Sequence, residues 1–137
     1  MCGRFVQHAD PELYASRYRA ELDPDGLADW HPSYNMAPTR PVLAIRAGKD
    51  GGRRLSALRW GLIPSWSKGP DNRYSMINAR AETVASKPAY RNAFKRRRCV
   101  IPAEGFYEWQ APAGESRRAK GKAKQPYFIH RKDDWPI

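Results

Sequence analysis

Apolar residues near the start of the chain recur at a spacing typical of a short helix. Asp10, Pro11 and Glu12 supply an N-cap, a proline at the first helical position and an acid in the first turn. Leucines and tyrosines then continue at near-helical spacing. This pattern predicts a short amphipathic helix from residue 11 to about residue 22.

The remaining pattern is dominated by short β-rich stretches. Residues 42–47 and 54–60 flank an Asp-Gly-Gly turn, which predicts a hairpin. The chain shows no internal repeat, and 137 residues suffice for one domain with a modest core. We therefore expect an α+β fold, mostly β with several short helices, and a single domain over residues 1–137. The further elements predicted are strands at 99–102, 105–109 and 127–130, a helix at 88–94, and a short strand or loop at 75–79.

The charge balance favours a polyanionic partner. The chain has 25 Lys and Arg against 14 Asp and Glu, a net charge of +11, and such an excess suits phosphate contacts with nucleic acid. Basic runs occur at residues 91–98, next to a predicted strand, and at residues 117–124, in a predicted loop. A solvated basic surface without a specific partner is the alternative, and we favour it for the second run.

Neither a membrane nor a metal partner is expected. No apolar run approaches the roughly 20 residues that a spanning helix needs, and neither a signal peptide nor a basic amphipathic helix is evident. Two cysteines make no disulfide framework, and the three histidines lack zinc-ligand spacing. We expect a cytoplasmic protein, nucleoid-associated if bacterial, without a metal or cofactor. Cys99 lies in an apolar stretch, which predicts a small buried hydrophobic residue.

The first four residues, Met-Cys-Gly-Arg, suggest covalent chemistry. Removal of Met1, normal before a small residue, leaves Cys2 with a free amine of pKa about 7.7–8.0 and a thiol of pKa about 8.5. Such an aminothiol condenses with an aldehyde to an imine and closes a thiazolidine ring, which an internal cysteine cannot do. Gly3 allows close approach of a ligand, and Arg4 suits a phosphate.

Further short motifs follow in order after this N-terminus. In these motifs the chain resembles the SRAP (SOS-response-associated peptidase) domain family, from residue 2 to the end of the chain. The resemblance implies a β-rich fold with a positively charged cleft for single-stranded DNA. It also implies a thiazolidine link between the N-terminal cysteine and the ring-opened deoxyribose of an abasic site. The motifs are YNMAPT at 34–39, WGLIPSW at 60–66, NARAET at 78–83 and RCVIPAEGFYEW at 98–109.

The resemblance also assigns roles to individual residues. It implies that Cys2 is the nucleophile, that Asn78 and Glu108 are active-site residues, and that Arg4 and Arg80 contact the DNA backbone. A carboxyl group at Glu108 suits proton transfer during dehydration and ring closure. An amide at Asn78 offers both a donor and an acceptor for the sugar hydroxyl or the amine.

Other residues near the motifs are candidates of lower rank. Glu104 is the competing acid, and Trp66 is a candidate to stack on an exposed base. Asn35 and Pro38 are expected to shape a loop beside the cleft and to take part in DNA binding. Arg40 and Arg73 are further cations near the motif loops. The remaining motif aromatics are interpreted as core residues, namely Trp60, Phe106, Tyr107 and Trp109.

The chain departs from the family in its length. Family members are considerably longer, and the additional part holds an active-site histidine motif that His130 does not match. We therefore expect residues 1–137 to be the N-terminal part of a single SRAP-like domain, with reduced activity. The leading hypothesis is an enzyme that crosslinks to abasic sites in single-stranded DNA. The alternatives are a non-covalent single-stranded DNA-binding module and a thiol autopeptidase, although only Met1 precedes the cysteine.

Overall fold

The computed structural model describes residues 3–70, 76–113, 124–133 and 135–137. Strands dominate this part of the chain, and three short α-helices and one 3-10 turn at Asp25–Leu27 accompany them. The helices are α1 (Pro11–Tyr18), α2 (Ala81–Val84) and α3 (Pro88–Arg96). The strands are β1 (Phe5–Gln7), β2 (Glu21–Leu22), β3 (Ser33–Met36), β4 (Pro41–Ala47), β5 (Arg53–Arg59), β6 (Cys99–Val100), β7 (Gly105–Gln110) and β8 (Gln125–His130).

The strands form two four-stranded sheets. The first sheet has the order β3-β1-β7-β8 and is antiparallel throughout. The second has the order β2-β5-β4-β6, in which β2 runs parallel to β5 and the other pairs are antiparallel. The α+β, β-rich class predicted from the sequence is confirmed. The predicted hairpin is β4-β5, and its register runs without interruption from Pro41 opposite Arg59 to Ala47 opposite Arg53.

The core joins the two sheets and the inner side of α1. Phe5 and Met36 come from the first sheet, Leu43 and Leu55 from the second, and Tyr14 from α1. Each of these side chains is buried, and together they form one hydrophobic cluster. Burial of apolar surface, at roughly 25 cal/mol per Å², is the main force that holds sheets and helix together.

A buried glutamine connects the sheets through polar contacts. Gln7 on β1 is fully buried. Its Oε1 accepts hydrogen bonds from Trp30 Nε1 at 3.0 Å and from the Leu43 amide at 2.8 Å. Its Nε2 donates to the carbonyls of Leu43 at 3.1 Å and Pro102 at 2.8 Å. All four hydrogen-bonding positions of the amide are therefore occupied, which removes the cost of burying it.

The first helix is shorter than the sequence pattern predicts. Its start is as expected, because Asp10 caps it by accepting a hydrogen bond from the Glu12 amide at 2.8 Å. It ends at Tyr18, because Arg19 takes a left-handed conformation with φ 50° and closes the last turn. Leu22, expected on the helix, instead lies in β2, where it pairs with β5.

Three other expectations about packing are wrong. Cys99, predicted to be buried, is exposed on the short edge strand β6. Trp109, predicted as a core aromatic, is 42% exposed, because it lies at the exposed end of β7. The strand predicted at 99–102 stops at Val100, where pairing with β4 ends. Trp60 and Phe106, in contrast, pack against the core as predicted.

Two expectations fall outside or partly outside the described residues. The second basic run, residues 117–124, is described only at Lys124, and Arg73 also lies in a segment that is not described. Within the described ranges, no helix is long and apolar enough to cross a membrane.

Candidate functional site

Loops that carry several of the predicted site residues meet at one end of the two sheets. β1 starts at this end, where Phe5 pairs with Met36, the last residue of β3. β4 also starts here and β5 ends here, because Pro41 pairs with Arg59. The ring of Phe5 lies 4.9 Å from that of Trp60, which follows β5. The loops that follow β3 and β5 therefore meet at the start of β1.

Arg4 and Glu108 are neighbours through the backbone of the first sheet. The Tyr107 amide donates a 2.9 Å hydrogen bond to the Arg4 carbonyl. This bond continues the β1-β7 register of Phe5 opposite Phe106, so Glu108 lies next to Gly3 at the start of the chain. Glu108 is half-buried and makes polar interactions.

Arg4 also contacts Asn35 directly. Its Nη1 donates to Asn35 Oδ1 at 3.1 Å, across the β1-β3 pair. Asn35 is itself positioned by a turn, because its amide donates to Ser33 Oγ at 3.0 Å. The two residues predicted on separate motifs thus form one polar pair at the edge of the candidate site.

The loop that contains Pro38 is held against the second sheet. The Thr39 amide donates to the Trp60 carbonyl, and the Trp60 amide donates to the Arg40 carbonyl, both at 2.9 Å. Thr39 has φ 75°, a strained conformation for a β-branched residue. These two hydrogen bonds hold the connection between β3 and β4 beside Trp60. Pro38 lies on this connection.

Asn78 and Arg80 lie on the segment that leads into α2 and α3. The Leu62 amide donates to the Met76 carbonyl at 3.0 Å, which ties this segment to the loop after β5. The Tyr90 hydroxyl of α3 donates to the Asn78 carbonyl at 3.2 Å. The Asn78 side chain is exposed, and Arg80 is the exposed N-cap residue of α2. Both side chains are therefore presented to solvent from a segment whose backbone is anchored.

Gly61 and Trp66 belong to the same loop region. Gly61 has φ 128°, a conformation that residues with a Cβ rarely adopt, so glycine permits the chain to leave β5 sharply. Trp66 follows in a turn closed by the Ser67 amide donating to the Pro64 carbonyl at 3.0 Å. Its side chain is 58% exposed. That exposure is compatible with the predicted base-stacking role, which stays a prediction.

The predicted nucleophile is outside the described part of the chain. Cys2 precedes Gly3, where the description begins. Arg4 contacts Asn35, and the Arg4 backbone pairs with Tyr107, the residue before Glu108, whereas Asn78 is tied to this end of the molecule through backbone contacts. Within the described residues, no hydrogen bond joins the Asn78 side chain to Glu108, so their common reacting centre stays a prediction.

Glu104, the competing acid, makes contacts of a structural kind. One of its carboxylate oxygens accepts a hydrogen bond from the Tyr14 hydroxyl, and the other accepts from the His8 amide at 3.0 Å. Burial, together with the hydrogen bond and the negative charge of Glu104, raises the pKa of Tyr14 well above its usual range. Glu104 therefore joins α1 to the first sheet, and the role of Glu108 as the acid of the candidate site stays a prediction.

Two other possible sites for chemistry receive no support from the geometry. In the described ranges, no three His, Cys, Asp or Glu side chains are grouped so as to hold a metal ion. Cys99 is exposed, yet partial desolvation of its sulfur raises the pKa of the thiol, which disfavours the reactive thiolate.

Comparison with known proteins agrees with these features. Residues 1–137 match the family of SOS response associated peptidases, SRAP. The chain belongs to the SRAP family. A relative of this SRAP chain, the abasic site processing protein YoqW of Bacillus subtilis, is 43% identical over 111 residues, which are 80% of this chain and 48% of the relative. The abasic site processing protein HMCES of Xenopus tropicalis is 42% identical over 118 residues, covering 77% and 33% of the two chains.

Solved structures show the same fold. A protein from Bacteroides thetaiotaomicron superimposes with a TM-score of 0.77 at 24% identity, covering 98% of this chain and 56% of the other. A phage-related protein from Bordetella bronchiseptica gives a TM-score of 0.69 at 32% identity, with coverage of 98% and 57%. This SRAP chain thus spans about half the length of the Bacillus relative and somewhat more of the solved structures.

Sequence reasoning missed the anchors of the SRAP site. The Leu62–Met76 bond is made by backbone groups, and the Tyr90–Asn78 bond joins a helix to a distant loop. No local spacing signals either contact. Gln7 could have been noticed as a polar residue between apolar neighbours of a strand-like stretch, but its partners on β4 and at Pro102 lie 36 and 95 residues away.

Proposed function

We propose that this protein processes abasic sites by forming a covalent crosslink between Cys2 and the lesion in single-stranded DNA. The relatives that resemble it are named abasic site processing proteins. The crosslink would shield the aldehyde of the lesion during the response to DNA damage. Single-stranded DNA with an abasic site is accordingly the proposed partner.

The proposed reaction needs no oxidant or external cofactor. After Met1 is removed, the amine of Cys2 adds to the C1′ aldehyde of the ring-opened deoxyribose and gives a carbinolamine. Loss of water yields an imine. The sulfur of Cys2 then adds to the imine carbon while the nitrogen receives a proton, which closes the thiazolidine. One C–N and one C–S bond form, and the aldehyde oxygen leaves as water.

Glu108 is the proposed proton shuttle for this sequence. The observation that carries the proposal is the 2.9 Å hydrogen bond from the Tyr107 amide to the Arg4 carbonyl, because it aligns Glu108 with Gly3, the residue bonded to Cys2. A carboxyl group next to the reacting amine can protonate the departing hydroxyl of the carbinolamine and then accept the proton of the thiol. A cysteine at an internal position would lack the free amine that forms the imine.

The surroundings suit the approach of a DNA strand. A Cβ at Gly3 would meet nothing within 4 Å, so the described residues leave open space beside this position. Arg4 and Arg80 are proposed to contact phosphates, and Asn78 to orient the sugar hydroxyl or the amine. Trp66 is proposed to stack on a base, an interaction worth roughly 1–3 kcal/mol.

A gel assay tests the proposal. Untagged protein is incubated with single-stranded DNA that holds one abasic site, and the products are separated under denaturing conditions. We expect a heat-stable shifted band that disappears in Cys2→Ala and when one residue is added before Cys2. An equal band from Cys2→Ala would contradict the proposal, as would non-covalent binding to damaged and intact DNA alike with no band. A band formed equally by the extended protein would refute the aminothiol mechanism.

A further inference from the structure

A cavity lies near the candidate site, between the C-terminal end of α3 and the face of the β4-β5 hairpin. Its volume of about 540 Å³ is within the range of about 300–1,000 Å³ that is usual for ligand pockets. The hairpin contributes an apolar floor that includes Val42, Ala44, Leu58 and Trp60. Ala93 of α3 lies on the opposite side. This space is large enough for a nucleobase.

The rim of this cavity is strongly basic. Arg59, Arg96, Arg97 and Arg98 line it, and none of its lining residues is acidic. Arg46 also lines it, but this arginine is already engaged, by Ser56 Oγ at 3.2 Å and by Asp23 at 3.5 Å. In the part of the chain that the structure describes, the other four guanidinium groups have no ion-pair partner. Four unneutralised cations around an apolar floor call for an anionic ligand with an apolar surface.

The cavity adjoins the segment that carries Asn78. Leu62 lines it and donates its amide to the Met76 carbonyl, two residues before Asn78. At its other end, α3 contacts Asn78 through the Tyr90 hydroxyl. Arg96 lies six residues after Tyr90, about 9 Å along the helix axis. The basic rim therefore lies further along α3 than the contact with Asn78.

We propose that this cavity is a subsite for a nucleotide that flanks the lesion in the DNA strand. The proposal rests on the proposed function, since it extends the path of the same single strand from Asn78 along α3. The arginines on the rim contact phosphates, and the floor around Trp60 and Leu58 receives a base. Base stacking and phosphate contacts together are how sequence-independent single-strand binding is achieved.

Reversible binding tests the subsite separately from the crosslink. All proteins carry Cys2→Ala, and fluorescence anisotropy measures their binding to intact oligothymidylates of 4 and 12 nucleotides over a series of salt concentrations. The double variant Arg97→Gln/Arg98→Gln is compared with Arg19→Gln/Lys49→Gln, which removes the same charge from exposed positions outside the cavity. Thermal unfolding verifies that every variant is folded.

We expect the cavity double variant to bind the 12-mer about tenfold more weakly than the control. Its slope of log affinity against log salt should fall by about 1.4, because each phosphate contact to a single strand contributes about 0.7. Equal affinity and equal slope in the two double variants would overturn the proposal. A concentration-dependent dimer that the cavity variant abolishes would also overturn it, because a second copy would then occupy the cavity.

A cavity-filling variant separates a base subsite from a purely electrostatic surface. Ala93→Trp keeps all the arginines but occupies the space above the floor. We expect it to weaken binding of the 12-mer about tenfold with an unchanged salt slope. Wild-type affinity in Ala93→Trp would refute the base subsite. Failure of the proposed function is distinguishable, since it would remove the crosslink to abasic DNA in the wild type and leave these binding differences intact.

Discussion

The amide of Tyr107 donates a 2.9 Å hydrogen bond to the carbonyl of Arg4, and this bond aligns the end of β7 with the first residues of the chain. It also favours one of two nearby acids, Glu108 and Glu104, for the proposed role beside the N-terminus. Glu108 follows Tyr107 and lies next to Gly3, whereas Glu104 is engaged by Tyr14 and His8. The catalytic role proposed for Glu108 depends on that alignment.

Loss of the carboxyl group at Glu108 should slow crosslinking without unfolding the protein. We expect Glu108→Gln to reduce the rate of adduct formation by about 10²–10⁴-fold, the usual contribution of general acid–base catalysis. Denaturing gels of single-turnover reactions with abasic DNA give this rate. Glu82→Gln, on the exposed first turn of α2, is the matched control and should react like the wild type. A wild-type rate in Glu108→Gln would exclude Glu108 as the proton shuttle.

Removal of the Gln7 amide should destabilise the fold strongly. Gln7→Met leaves the Trp30 indole, both backbone groups of Leu43 and the Pro102 carbonyl without their partner. One or two of these groups remaining unpaired would each cost about 1–3 kcal/mol, so we expect a loss of about 3 kcal/mol in the free energy of unfolding. Urea denaturation measures it. Gln110→Met, at the exposed end of β7, should change stability by about 0.5 kcal/mol or less. Equal losses in the free energy of unfolding at the two positions would show that the Gln7 hydrogen bonds contribute little to stability.

Tyr14 should make the protein sensitive to alkaline pH. In the unfolded chain a tyrosine loses its proton near pH 10, while burial and Glu104 raise the pKa of Tyr14 in the folded chain. The stability that Tyr14 contributes is therefore present below about pH 10 and is lost as the pH rises further.

Urea denaturation at pH 8 and pH 11 tests this dependence. Tyr14→Phe should be less stable at pH 8, since a Glu104 oxygen loses its hydrogen bond. Between pH 8 and pH 11, however, its free energy of unfolding should fall by about 1.4 kcal/mol less than that of the wild type. That difference arises because pH 11 lies about one unit above the pKa of a tyrosine in the unfolded chain. Tyr127→Phe, on the exposed strand β8, should follow the wild type. The same pH dependence in Tyr14→Phe and the wild type would contradict the effect.

A side chain at Gly105 should displace β8. A Cβ there would lie 2.6 Å from the Ile129 carbonyl oxygen and 2.6 Å from the Phe128 ring, and a backbone atom cannot simply rotate away. We expect Gly105→Ala to cost about 1–3 kcal/mol, as overpacking usually does, and to accelerate amide exchange along β8. Gly69→Ala, where nothing lies within 4 Å, is the control. Unchanged amide exchange along β8 in Gly105→Ala would contradict the predicted displacement of this strand.

Local signals in the sequence predicted the elements that depend on local interactions. The cap at Asp10 started α1 correctly, and the Asp-Gly-Gly turn located the β4-β5 hairpin. The end of α1 was not predictable in this way, because Arg19 carries no left-handed preference comparable to glycine. β2 is two residues long and depends on pairing with β5, 33 residues further along the chain.

The candidate site was predictable only as a set of motifs. Their identity pointed to Arg4, Asn35 and Glu108. The structure pairs Arg4 with Asn35 and aligns the Arg4 backbone with Tyr107, which precedes Glu108, through strand pairing that no single motif encodes. The exposure of Cys99 and Trp109 was missed, because both lie at strand ends or edges where an apolar neighbourhood in sequence does not mean burial.

Mass spectrometry of the isolated adduct tests the central claim about Cys2 most directly. Wild-type protein and single-stranded DNA with one abasic site are allowed to react, and the intact adduct is weighed and then digested. The account predicts a mass equal to that of the Met1-free protein plus the DNA, less one water, with the DNA remnant on the peptide that begins at Cys2. A remnant on a lysine, or on an internal residue such as Cys99, would contradict it.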